Sequence, residues 1–530
     1  MTTMKMSKLF LSGVLACLCA CNCTTEKPDD GQNNNNTDTP VEKPELVTKD
    51  VVAYVTTADS RQQFERSTFN FGKPGSMSPY QVSYDKTSLA AEPVDGFGLA
   101  VTTAAAYNLL KMDPADRTAF LEETFSREKG AGMSLIRVAI GASDFCLDDN
   151  YTWCDKQGLE NFAVHSEDKN YLFPVLKEIY AINHDVKIVG SPWSCPQWMK
   201  CQMPGGNSWD VSKFNVPVTD ETTYNSWTGG RLKPSCYDDY AEYFVKWIQT
   251  MEAEGFDIYA VTMQNEPLNH GNSMSLYMPW KDQLKFIKVL GPAIQKAGLD
   301  TKIMLFDHNY NYDDKSDQNN YPLNIYADPE AYKWAAGSAW HNYGGHVSEL
   351  DEIYAANPEK GIWFTEASIG EWNYDLAGKV GGRFNPFVLE EFSNVFMGTM
   401  RRGGKGVTYW NLMLDEKKGP YSPHDGSCKT CYGGVTISSL DYESITKNAH
   451  WYHVAHASAV VKPGAKRIAI GGMELPTRFE CMMFLNPDNT VGTLICNNSD
   501  QDQAVIFANT KFTVKYTVPA KSLVSLIWQE

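Results

Sequence analysis

From Gly96 to Trp410 the chain repeats one unit eight times: a short apolar or β-branched run, a loop, and a segment of helical period. The runs are Gly96–Ala100, Ser134–Ala139, Lys187–Ser191, Ala260–Gln264, Lys302–Phe306, Ser338–His341, Gly361–Thr365 and Gly406–Trp410. Short buried strands alternating with helices are the mark of βα units, whose strands lie parallel and are covered on both faces. Eight of them close into a (β/α)8 barrel. Between the third and fourth runs, Tyr240, Phe244, Trp247, Ile248 and Met251 recur at helical spacing and give the single apolar stripe a barrel helix needs. Similar helices are predicted from Tyr171 to Ile182 and from Glu390 to Met400, and Met203 to Trp209 reads as a surface loop.

With 530 residues and 43% hydrophobic content, the chain has material for this core and a smaller one. After about Ser444 a helical segment through Trp451, Tyr452 and Val454 gives way to alternating runs at Arg467–Ile470, Cys481–Phe484, Gly492–Ile495, Ala504–Phe507 and Ser522–Leu526. These read as an antiparallel β-sandwich, and the strand-like Val51–Tyr54 and Gln81–Tyr84 ahead of the barrel join it from the other chain end. The expected division is residues 1–20 signal peptide, 21–47 tether, 48–92 first sandwich strands, 93–455 barrel and 456–530 the rest of the sandwich. The sandwich is read as structural support.

Lys5 and Lys8 precede the apolar run Leu9–Ala16, which is too short to span a bilayer and reads as an export signal. Leu18-Cys19-Ala20-Cys21 resembles a bacterial lipobox with Cys21 as the lipidated residue, Cys17 being the second choice. From Thr24 to about Glu45 hardly an apolar residue occurs, as expected of a disordered tether. The expectation is therefore an exported monomer, anchored to a bacterial membrane by lipid alone, on the periplasmic or cell-surface side. A net charge of −17 argues against nucleic acid or an anionic surface and suits a neutral polymer.

Nine cysteines follow the tether, and most are expected as buried thiols. Cys146 with Cys154, and Cys195 with Cys201, are near enough in sequence to bridge. Cys428-Lys429-Thr430-Cys431 has half a zinc-ribbon spacing without a second pair, so it reads as a local disulfide or packed thiols rather than a metal site.

Two glutamates close strand-like runs: Glu266 in Val-Thr-Met-Gln-Asn-Glu-Pro and Glu366 in Trp-Phe-Thr-Glu-Ala-Ser. Both fall just past the carboxyl ends of barrel strands, the fourth and the seventh, on the face where such barrels build active sites. Paired carboxyl groups there point to glycoside hydrolysis. No nucleotide loop, dinucleotide fingerprint or clustered metal-ligand motif is present, so no cofactor and no metal are expected.

In order along the chain stand Gly96-Phe97-Gly98, Ile136-Arg137-Val138 with Ala142-Ser143-Asp144-Phe145, Ser191-Pro192-Trp193-Ser194-Cys195-Pro196-Gln197-Trp198-Met199, Gln264-Asn265-Glu266-Pro267, Phe364-Thr365-Glu366-Ala367, Trp410-Asn411-Leu412 and Lys462-Pro463-Gly464-Ala465. In these motifs the chain resembles glycoside hydrolase family 30, over nearly everything after the tether. The resemblance implies a retaining enzyme with Glu266 as acid/base and Glu366 as nucleophile. It places Asn265 on the sugar 2-hydroxyl, with Asp144, Trp193 and Trp410 lining the sugar site and His341 and Tyr343 as a polar pair near the nucleophile. For that chemistry Glu266 has to start protonated and Glu366 ionised. Arg137 is expected in a buried ion pair below the nucleophile, and Asp307-His308-Asn309 is a candidate rim.

The segments Gly419-Pro420-Tyr421, Gly426-Ser427-Cys428 and Cys431-Tyr432-Gly433-Gly434 resemble the β-1,6-glucanase and glucosylceramidase branches, so a β-linked glucan is the expected substrate and endo-β-1,6-glucanase the expected activity. A glucosylceramidase, an exo-acting β-glucosidase and a non-catalytic glycan-binding lipoprotein are the alternatives. Trp153, Trp209, Trp227, Trp280 and Trp372 lie in predicted loops, free either to stack on further sugars or to pack inward.

Overall fold

The computed structural model describes residues 50–72, 76, 78–204, 216–218, 222–310, 318–373, 387–472 and 475–530. The export signal, the tether, Cys17, Cys21 and Trp209 lie outside the described residues. Among the described residues no helix is long and apolar enough to cross a membrane.

All eight predicted barrel strands are present: Gly96–Leu99, Leu135–Ala139, Lys187–Ser191, Ile258–Thr262, Lys302–Asn309, Ala335–His341, Gly361–Glu366 and Gly404–Tyr409. They form one sheet in which each strand pairs in parallel with its neighbours in sequence and the eighth returns to the first. Closure between first and second comes from a bridge between Ala100 and Arg137 and from the Ser134 amide donating to the Phe97 carbonyl at 3.0 Å. Gly98 is required there, since a Cβ on it would lie 1.7 Å from the Leu135 carbonyl oxygen.

Leu135, Val189, Ala260, Met304, Ala339 and Trp363, from six of the strands, form a buried cluster of their own inside the barrel. Strand side chains alternate, so the next inward position lies two residues on. There stand Arg137, Ser191, Thr262, His341 and Thr365, all buried. The fifth strand departs from the count: Phe306 and Asp307 have φ of 70° and 68°, and its register against the sixth strand shifts between Phe306 and His308. That extra residue turns Asp307, three after Met304, into the barrel. Each such non-glycine residue costs about 1–3 kcal/mol. Polar contacts at Asp307, described below, offset that strain.

The helix Tyr237–Ala253 buries the predicted stripe and lies beside Trp280–Lys296. The helix predicted from Glu390 to Met400 is interrupted by a π segment, Phe392–Met397, and the Tyr171–Ile182 prediction divides into a π turn, Asp168–Leu172, and the helix Phe173–Ile182.

The second core is a nine-stranded sheet to which the segment before the barrel contributes Asp50–Thr57, Glu65–Asn70 and Tyr80–Pro93. Two of its strands have no counterpart in the sequence reading, Glu65–Asn70 and Thr513–Val518, and these are its two edges. An edge strand has a partner on one side only and carries polar residues, which blurs its hydrophobic signal. The helix Ala449–Val460 is buried nearly all round and links the two cores. His456 on it bonds Thr56 Oγ1 and Ser525 Oγ, each at 2.8 Å, and burial pushes its imidazole down to about 3, so it stays neutral.

Cys428 and Cys431 form a disulfide. Cys146, Cys154, Cys195 and Cys201 are buried and outside any disulfide, so neither of the other two conceivable bridges forms.

Candidate active site

At the carboxyl ends of the barrel strands lies a cavity of about 340 Å³, within the size range of small-ligand sites. Glu266, Glu366, Asp144, Trp193, Asn265, Tyr343 and Trp410 line it. Of the catalytic and sugar-binding residues expected from sequence, His341 is the one that does not line it: its side chain is fully buried. Asn269, Asn272, Asn309, Trp372, Cys428 and Cys431 complete the wall.

The floor is organised by Asp307. Its Oδ2 accepts from Arg137 Nη2 at 2.8 Å, Ser191 Oγ at 2.7 Å and Thr262 Oγ1 at 2.7 Å, and its Oδ1 from Thr365 Oγ1 at 2.7 Å. His341 Nε2 lies 2.9 Å from Oδ1 and must be the donor, because a carboxylate only accepts. Burial opposes this charge, but Arg137, His341 and the hydroxyls hold the Asp307 carboxyl well below the usual range. Asp307 is therefore no rim residue. Only Asn309 of its tripeptide reaches the cavity.

Arg137 spreads from this pair to the working groups. Its Nη1 lies 2.5 Å from Glu366 Oε2, and its Nη2 donates to Asn265 Oδ1 at 2.7 Å. The second contact fixes the amide of Asn265 with oxygen towards Arg137, leaving the NH2 group to donate into the cavity. The guanidinium carbon stands 5.0 Å from the Trp193 ring and 5.6 Å from Trp410, and these two rings stack at 5.0 Å. An arginine under paired tryptophans fixes an apolar floor that matches the face of a sugar.

The two carboxyl groups are held differently. Glu366 takes Arg137 on one oxygen and the Tyr343 hydroxyl on the other at 3.1 Å. Glu266 has φ of 46° and donates its amide to the Asp307 carbonyl at 2.9 Å, so the strain on the fifth strand also seats the fourth strand's glutamate. Its Oε2 accepts from Asn269 Nδ2 at 2.8 Å, and its Oε1 lies 3.4 Å from His341 Nδ1 and 3.8 Å from His308 Nδ1.

Burial pulls the His341 imidazolium down, but Glu366 and Asp307 outweigh it and push the ring up to about 9. Burial pushes Glu266 up, yet contact with His341 and the charge of His308 win and hold it low, at about 2. For Glu366, burial and the charges of Glu266 and Asp307 outweigh His341 and Arg137, leaving it above its ordinary value. These directions reverse the expectation for the free site, and the reason is His341: its Nδ1 faces Glu266, so one proton belongs to that pair rather than to Glu266 alone.

Asp144 is a second surprise. Burial and the charge of Glu366 push its carboxyl up to about 8, although the Cys428 amide donates to it at 3.3 Å. At neutral pH it is a neutral acid with a proton to donate.

The loop tryptophans divide. Trp153 is buried, its indole donating to Asp168 at 2.9 Å, and Trp227 and Trp280 pack partly against the main core. Trp372 is 53% exposed at the cavity wall, edge-on to Tyr343 at 6.1 Å. Its segment is tied to the disulfide turn: the Glu371 amide donates to the Thr430 carbonyl at 3.0 Å, and Gly370 bridges Cys431. Asn269, Asn272 and Asp307 escaped the sequence reading as active participants. The one available signal for Asp307 was its place at the end of a strand whose neighbours end in Glu266 and His341.

The model of the glycosyl hydrolase family 30 TIM-barrel domain matches residues 94–461, and that of the family's β-sandwich domain matches residues 464–526. The chain belongs to glycoside hydrolase family 30. As a member of this family it is a retaining glycoside hydrolase, with the barrel and side sandwich of that family. Among solved structures it is similar to the endo-β1,6-glucanase BT3312, with 46% identity and a TM-score of 0.84 over 91% of this chain and 100% of that one. The endo-1,6-β-D-glucanase of Neurospora crassa is 29% identical, over 89% of this chain and 91% of its own. Mouse lysosomal acid glucosylceramidase is 25% identical, over 83% and 81%.

Proposed function

We infer that the protein is an endo-acting β-1,6-glucanase in which Glu366 is the nucleophile and Glu266 the acid/base. The observation that carries the roles is the unequal seating of the two carboxyl groups in one cavity. Arg137 and Tyr343 aim both Glu366 oxygens, while Glu266 faces His341, from which a proton can be drawn. The linkage rests on the 46% identity to the endo-β1,6-glucanase BT3312.

A glucosyl unit settles on Trp193 and Trp410, with Asn265 on its 2-hydroxyl and Asp144 donating to a hydroxyl. Glu366 attacks the anomeric carbon as the bond to the leaving oxygen breaks, and the proton shared by His341 and Glu266 goes through Glu266 to that oxygen. The covalent ester removes the charge of Glu366. Glu266, again a carboxylate, then takes a proton from water, whose oxygen attacks the same carbon and frees Glu366 with the configuration retained. Arg137 favours the returning carboxylate, and the strained seat of Glu266 needs no rearrangement between the steps.

Lipid attachment at Cys21, export to a bacterial membrane and a monomeric state complete the proposal, the tether holding the barrel clear of the membrane. A second reading, hydrolysis of glucosylceramide, is favoured by the likeness to the mouse enzyme. Incubation with β-1,6-glucan, β-1,3-glucan, xylan and glucosylceramide, followed by product sizing, separates them. Short oligosaccharides from β-1,6-glucan are expected first. Glucose as the sole early product would overturn endo action.

A further inference from the structure

We propose that Glu266, His308 and His341 together form a binding site for a divalent transition-metal ion of the Zn²⁺ class, and that an ion bound there inhibits hydrolysis. The three residues come from the ends of three consecutive barrel strands, and one donor atom from each lies within 4.8 Å of the others. Glu266 Oε1 stands 3.4 Å from His341 Nδ1 and 3.8 Å from His308 Nδ1. Tetrahedral zinc, with bonds of about 2.0–2.2 Å, holds its donors about 3.3 Å apart. Closing this trio on an ion therefore takes small side-chain shifts.

Two further features suit a metal. His341 Nε2 donates to Asp307 Oδ1 at 2.9 Å, the carboxylate–histidine support that aims the other ring nitrogen at an ion. Two imidazoles and one carboxylate select zinc, nickel or copper over magnesium or calcium, which take oxygen ligands. Glu266 lines the cavity while both rings are buried and do not line it, so the trio joins the cavity through its carboxylate. An ion on His341 Nδ1 and Glu266 Oε1 occupies the electron pairs that hold the proton for the leaving oxygen. The inhibitory part rests on the acid/base reading of Glu266, whereas binding itself does not.

The test is calorimetric titration of ZnCl2 into chelator-treated protein, with MgCl2 as control, beside β-1,6-glucan hydrolysis and thermal melting. One Zn²⁺ per chain, a raised melting temperature, at least tenfold slower hydrolysis at saturation and recovery with a chelator are expected, with no response to Mg²⁺. His308→Ala and Glu266→Gln, each checked for cooperative melting, are expected to bind Zn²⁺ at least tenfold more weakly. Absence of stoichiometric binding, or equal affinity in both variants, overturns the site. Site-specific binding with undiminished hydrolysis overturns the inhibition. A protein inert on every glycan defeats the functional reading alone, since the isotherm still reports on the trio.

Discussion

Arg137 on the second barrel strand and Asp307 on the fifth meet at 2.8 Å with neither side chain exposed. Two charges this deep are costly unless each is fully partnered. Here Asp307 gathers five donors, and Arg137 donates also to Ser191, Glu366 and Asn265, its buried Nε being left without a hydrogen-bond partner. The pair is thus a foundation on which the reacting groups are aimed.

Asp307→Asn keeps the shape and removes the charge, leaving Arg137 and His341 with only Glu366 and Glu266 as counter-ions. Breaking a buried pair in this way costs about 3–5 kcal/mol. Denaturant unfolding should record a loss of that order, and hydrolysis should fall with it because Arg137 no longer holds Glu366. A wild-type unfolding midpoint would contradict the role given to Asp307.

Glu266→Gln removes the acid and base while leaving the nucleophile. Turnover of β-1,6-glucan should drop about 10²–10⁴-fold. An aryl β-glucoside with an acidic phenol leaving group needs no protonation, so its burst of phenol release should survive while the following turnover stalls. Loss of the burst would move the nucleophile away from Glu366.

Trp372, at 53% exposure, contributes little to folding, so Trp372→Ala should alter stability by no more than about 0.5 kcal/mol. Stacking on a sugar is worth about 1 kcal/mol, and the KM for the polymer should rise roughly fivefold with kcat preserved. An unchanged KM would remove Trp372 from the substrate path.

Asp144 gives a pH signature. Its carboxyl is pushed up to about 8 in the folded protein, against about 3.9 for a free aspartate. Between these values the folded state keeps a proton that the unfolded chain has released, so stability falls as pH rises through the window and levels off above about 8. Asp144→Asn deletes that slope. Urea midpoints measured from about pH 4 to about pH 8 should decline more steeply in the wild type than in the variant, and parallel curves would rule out the raised value.

The addresses of Glu266 and Glu366 were legible in sequence because buried parallel strands must be apolar and their ends are polar, so eight runs could be counted. The sandwich was legible where strands alternate and illegible at its edges, Glu65–Asn70 and Thr513–Val518. Loop tryptophans were ambiguous by nature. Composition does not say whether a ring turns inward, as Trp153 does, or to the cavity, as Trp372 does.

By itself, then, the sequence determined a (β/α)8 barrel, a side sandwich fed from both chain ends and a pair of glutamates on one face. Only the tertiary structure decided that Asp307 is the centre of the floor, that His341 faces Glu266 and not the sugar, and that burial pushes the Asp144 carboxyl up. The reason is that facing depends on register, and one shift at Phe306 and Asp307 turns a carboxylate from rim to core. Its partner Arg137 stands 170 positions away along the chain, beyond the reach of any local pattern.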